Sequence, residues 1–133
     1  MPANVTPIFP LSPIYRHAVV TATTTDRTGA TTGNLVTLIT GATNGTKITQ
    51  IGVKYQDTNV AGSILIFITD TSGANLELFD EIAVTAVTVS VSTPSFRSVN
   101  LYNDLQVASG QIVRVGMTAG AVACTVFCMA GDY

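Results

Sequence analysis

From His17 onward the chain is a series of short apolar and alternating runs separated by clusters of turn-forming residues. Runs of this length, rich in Val, Ile and Thr, predict strands. His17 to Thr25 is the first, and Asp26 to Asn34 reads as a loop. Leu35 to Thr40 follows, then a turn at Gly41 to Gly45. In Thr46 to Gln56 the side chains of Ile51, Val53 and Tyr55 share one face. Ser63 to Thr69 contains the unbroken apolar run Ile64 to Ile68, which predicts a strand at the centre of a sheet. Asp70 to Asn75 reads as a hairpin turn, and Leu76 to Val84 as the next strand. The cleanest alternation runs from Thr85 to Ser92, with Val87, Val89 and Val91 on one side. Phe96 to Tyr102 follows. Leu105 to Met117 contains a turn at Ser109-Gly110, and Ala121 to Met129 closes the set.

That is about eight or nine strands at a spacing of roughly 10–14 residues, with no competing amphipathic helix. The pattern predicts an all-β fold, a single β-sandwich of about eight strands. A jelly-roll-like arrangement fits best. An immunoglobulin-like sandwich is the runner-up, and it lacks its Trp and its bridging cysteine pair. The 133 residues suit one domain with a core that needs no metal or disulfide.

Residues 1–16 break the pattern. Pro2, Pro7, Pro10 and Pro13 alternate with Ile8, Phe9, Leu11, Ile14 and Tyr15. Proline at this density excludes a helix and removes ladder donors, while the apolar content is too high for a solvated tail. The division expected is therefore an extended N-terminal arm, 1–16, and a β-sandwich domain, 17–133. The arm would dock on its own sandwich or on a neighbouring subunit through Ile8, Phe9, Leu11, Ile14 and Tyr15.

Composition sharpens this. Charged residues make up 11% of the chain and hydrophobic ones 47%, whereas a typical domain carries roughly 25% charged residues. Such a surface suits contact with other proteins. A net charge of −2, with six Lys and Arg scattered along the sequence, offers no basic patch for nucleic acid. The longest apolar run is too short to span a bilayer. The start Met1-Pro2-Ala3-Asn4 lacks the form of a signal peptide. Synthesis in a cytosol is expected.

Candidate chemistry is sparse. His17 is the one histidine, so a Ser-His-Asp or Cys-His centre has a single possible base; a structural or surface role is expected. Cys124 and Cys128 fall four apart in a strand, roughly 13 Å between Cα atoms, too far for a disulfide; both are expected as buried free thiols. Asp70-Thr71-Ser72-Gly73 resembles the Asp-Thr-Gly turn of aspartic proteases, but Ser72 intrudes before the glycine, and a plain turn explains the same residues. Gly41 to Lys47 has the wrong spacing for a phosphate loop. Glu77, Asp80 and Glu81 form the densest acidic group and read as solvated charges on an edge strand. No catalytic, cofactor-binding or metal-binding residue is assigned, and no cofactor or enzymatic activity is expected. A carbohydrate- or receptor-binding module is an alternative, with Tyr55, Tyr102 and Tyr133 as its candidate aromatics.

Several motifs of the second half occur in a familiar order. Leu76 to Val84 comes first, then the polar-apolar run through Ser92. Leu105-x-Val107-x-Ser109-Gly110-Gln111-x-Val113-Arg114-Val115 follows, and Gly131-Asp132-Tyr133 ends the chain. This combination, over roughly residues 46–133, resembles small virion structural proteins of tailed bacteriophages, including capsid decoration or cement proteins. The resemblance implies a non-enzymatic β-sandwich, often a homotrimer, bound to the major capsid protein on the exterior of the capsid, with no nucleic-acid or membrane partner. A tail, neck or fibre component is the close alternative. The proline-rich arm has no counterpart in the resemblance.

Overall fold

In the computed structural model, Pro10, residues 12–120 and residues 122–133 are described. Eight strands follow in order: β1 (Ser12–Val20), β2 (Val36–Thr40), β3 (Thr46–Tyr55), β4 (Gly62–Ile68), β5 (Glu77–Val84), β6 (Arg97–Val107), β7 (Ile112–Met117) and β8 (Cys124–Asp132). No helix occurs among the described residues. The first sheet has the order β1-β8-β3-β6 and the second β2-β7-β4-β5. All strand pairings are antiparallel. The nested pairs 1·8, 2·7, 3·6 and 4·5 are those of a four-stranded-deep ribbon rolled on itself. That is the jelly roll, and it settles the architecture against the immunoglobulin-like runner-up.

The core lies between the sheets. Ile48, Ile51, Val53 and Val126 come from the first, and Ile64, Ile66, Val113 and Val115 from the second, all fully buried. Burying each such side chain contributes about 1.5–3 kcal/mol before ordering costs. Cys124 and Cys128 point into this core as free thiols, and burial pushes both up to about 11. At neutral pH they are protonated and unreactive. The Tyr55 hydroxyl faces Cys124 without a hydrogen bond of normal geometry, and burial pushes it up to about 12.

Three expectations need correction. First, β1 starts at Ser12, so residues 12–16 belong to the sandwich and not to an arm. Pro13 is tolerated because β1 is an edge strand, where its missing N–H breaks no ladder. Ile14 is half-buried against the core and Tyr15 lies on the outer sheet face. Ile8, Phe9 and Leu11 lie outside the described residues.

Second, the alternating run Thr85 to Ser92 is not a strand. It belongs to the connection that carries the chain from β5 in one sheet to β6 in the other, with only isolated bridges at Val87 and Ser90. Its valines find no core: Val91 is fully exposed. Side chains hold it instead. Asn59 donates to the Thr85 carbonyl at 3.0 Å, and the Val89 amide donates to Thr58 Oγ1 at 3.0 Å. Third, β6 does not stop at Tyr102. It continues to Val107 through a break in register opposite Thr49.

Candidate docking face

The register of the first sheet places its outward side chains in cross-strand rows. Tyr15 on β1 stands beside Met129 on β8, then Gln50 on β3 and Leu101 on β6. The next row is His17, Phe127, Gly52 and Val99, and the third is Val19, Thr125, Lys54 and Arg97. Six of these side chains are apolar and not on the core side: Tyr15, Val19, Val99, Leu101, Phe127 and Met129. Leu101 is 78% exposed, Tyr15 49% and Val19 46%.

Gly52 organises the middle row. A Cβ there would lie 2.5 Å from Phe127 Cζ and 2.8 Å from Val99 Cγ2. The glycine lets the Phe127 ring lie down on the sheet. Tyr15 stacks beside it, with ring centroids 6.3 Å apart, and the Arg97 guanidinium sits 5.5 Å from its centroid. His17 packs on Tyr15 at 5.7 Å. The result is a face whose apolar side chains come from β1, β8 and β6, with the Phe127 ring and Val99 closing over Gly52 of β3.

Charge is also sorted by the fold. Lys47 and Lys54 of β3 and Arg97 of β6 all occupy outward positions of the first sheet. Lys54 Nζ donates to the Ser95 carbonyl at 2.9 Å. Among the described residues the one ion pair is Arg27–Glu81, at 2.9 Å on the opposite side of the molecule. None of the three cations therefore has a carboxylate partner.

The outer face of the second sheet is different. Leu65 and Phe67 point outward from β4, yet both are fully buried. Leu35 covers them, with Leu76 and Leu78 packed at the side. The β1–β2 connection, residues 21–35, makes this cover. Gly116 lets it come close, because a Cβ there would lie 2.7 Å from Leu35 Cδ2. Arg27 ties the loop to Glu81, and Asp26 organises it from within. Its carboxylate accepts from the Thr28 hydroxyl at 2.6 Å, the Thr28 amide at 2.8 Å and the Thr31 amide at 2.7 Å.

The fold does not bring Asp70, His17 and the acidic group of β5 together. Asp70 Oδ1 accepts from the Ser72 amide and hydroxyl and the Ala74 amide, and Oδ2 from Asn75. Those bonds, the Ser72 hydroxyl first, hold its carboxyl at about 2. The carboxylate closes its own turn. Beside it lies an open groove of about 540 Å³ lined by Ile68, Asn75, Glu77 and Phe79. His17 is on the far sheet face. No three His, Cys, Asp or Glu side chains among the described residues gather as a metal site.

Asp80 is not the solvated edge charge that its neighbours in sequence imply. It turns between the sheets where β5 and β6 form the open side of the sandwich. It accepts from Tyr102 Oη at 2.7 Å and Asn100 Nδ2 at 3.0 Å. Burial opposes its charge, but the Tyr102, Glu81 and Asn100 donors outweigh it and hold the carboxyl below its ordinary value. Burial and the Asp80 bond raise the Tyr102 hydroxyl correspondingly. The group is a polar clasp between sheet edges.

No family model and no curated protein matches the chain. Among solved structures it is similar to a chain described as "Cyanophage Pam1 capsid asymmetric unit", with 17% identity over 99% of this chain and 94% of that chain and a TM-score of 0.47.

Proposed function

We propose that the chain is a non-enzymatic structural protein of a bacteriophage particle, and that it decorates the exterior of the head. In this role it binds the major capsid protein as a homotrimer and clamps neighbouring capsomers together. The observation that carries the reading is the set of exposed apolar side chains Tyr15, Val19, Met129 and Leu101 on one sheet face. A free β-sandwich gains nothing from leaving these side chains in water, whereas a particle component gains a contact. Two further observations support it: the order of motifs through residues 46–133, and the jelly roll, an architecture shared by many capsid domains. Low charge keeps the desolvation cost of a broad contact small. Many identical copies let modest contacts add up on one shell.

The test is to locate the protein on particles. Heads of the phage that encodes it are imaged by electron microscopy with and without the protein, and their heat resistance is measured. Density on the outer surface at capsomer junctions, with heads that rupture at lower temperature when it is missing, is expected. Particles that assemble without any bound copy would sink the proposal.

A further inference from the structure

We infer that the outward face of the β1-β8-β3-β6 sheet is the surface that meets the shell, and that its partner is a protein surface apolar at the centre and rimmed by carboxylates. This rests on the reading of the chain as a particle component. The centre of the face is set by Tyr15, Phe127, Met129 and Leu101. Its charge is set by Lys47, Lys54 and Arg97, three of the chain's six Lys and Arg. Asp104 on β6 is the only carboxylate at a strand position of this face. The other strand-borne acids lie elsewhere: Glu77, Asp80 and Glu81 on β5, and Asp132 turned to Thr46 at the end of β8.

Covering this face with a purely apolar surface would bury cations that have no counter-charge, and unpaired buried charge is strongly unfavourable. A partner that seals the apolar rows must therefore bring its own acidic groups to Lys47, Lys54 and Arg97. Nucleic acid supplies anions but fits worse. Tyr15 leaves a ring exposed, but three cations on a chain of net charge −2 neutralise too few phosphates to hold a nucleic-acid strand. The orientation follows: the first sheet faces the shell, and the loop-covered second sheet faces solvent.

The experiment uses heads stripped of this protein and full-length variants, with occupancy read by co-sedimentation over a range of salt. Leu101→Asp and Arg97→Glu both change exposed side chains, so folding is checked by an unchanged melting temperature. Each is expected to weaken binding about tenfold or more. Glu77→Gln on the second sheet is expected to bind as wild type, and wild-type binding is expected to weaken as salt rises. If wild type binds but both first-sheet variants bind equally well, this face is not the docking surface and the functional reading survives. If wild type itself ignores the heads, that reading falls and takes this inference with it. A change of oligomer size in Leu101→Asp with occupancy unchanged overturns the inference by assigning the face to self-contact. Tighter binding to duplex DNA than to heads overturns it as well.

Discussion

The two outer faces of this sandwich carry similar side chains and meet different fates. Leu65 and Phe67 project from the second sheet and are fully buried; Leu101 and Tyr15 project from the first and are largely exposed. Residue type does not separate them, and neither does strand geometry. The difference is one connection. Residues 21–35 leave β1, cross the second sheet and lay Leu35 over Leu65 and Phe67. No described connection returns over the rows of the first sheet. An apolar side chain on an outer sheet face is thus a folding residue where the chain comes back over it. Where it does not, the same side chain is available to another molecule.

The largest expected effect tests that division directly. Phe67→Ala should cost about 3–5 kcal/mol of stability, from lost burial plus the cavity left beneath Leu35. Leu101→Ala should change stability by no more than about 0.5 kcal/mol, because its side chain is already in water. Denaturant unfolding of both variants gives the comparison. A Leu101→Ala loss as large as that of Phe67→Ala would mean that the first face is covered too. Gly52→Val comes next, at about 1–3 kcal/mol. The valine would push against the Phe127 ring and Val99, which lie well inside contact distance of a Cβ at that site. The added groups would lift Phe127 off the sheet and roughen the exposed face without touching the covered one. A melting temperature equal to wild type would show that the ring moves away freely and that the glycine does not shape the face.

Much of the architecture was legible from residue pattern. Turn clusters at Asp70 to Asn75 and at Ser109-Gly110 mark the chain reversals, and the run Ile64 to Ile68 predicts a strand at the centre of a sheet, where β4 lies between β7 and β5. The failures have a common cause. Thr85 to Ser92 alternates as well as any strand here, but alternation specifies a face only when a neighbouring strand and a core are present to use it. This segment has to cross between sheets. Pro13 looked like a barrier to strand formation, yet at an edge its missing donor costs nothing. The docking face was illegible for a related reason. Sequence pattern puts Tyr15 with the proline-rich segment and gives Met129 and Leu101 no shared feature with it; register alone brings the three into one row. Lys47 and Lys54 share β3 but fall on opposite sides of its simple alternation, so the register break at Thr49 is what turns both outward, and the pairing of β3 with β6 is what brings Arg97 beside Lys54. The pairing partner of each strand is a long-range property, and no local pattern encodes it.

The smallest effect concerns the cover itself. Asp26 holds the loop through both carboxylate oxygens. The Thr28 hydroxyl, with the Thr28 and Thr31 amides, keeps its carboxyl well below the ordinary value of 3.8. A carboxyl lowered by folding stabilises the loop above that ordinary value, and the contribution is lost as pH falls below 3.8 toward the lowered one. Asp26→Asn presents an amide N–H₂ where one oxygen stood, so either the Thr28 or the Thr31 amide loses its acceptor. Hydrogen exchange at one of these two amides should be faster in Asp26→Asn at neutral pH. Wild type should show the same loosening only on acidification, and the variant should show little further change. Overall melting should shift slightly, because the group is exposed and Arg27 still ties the loop to Glu81. Exchange rates unchanged by the substitution would mean that Leu35 alone holds the cover in place. The two faces would then differ by one apolar anchor, without help from the polar turn that precedes it.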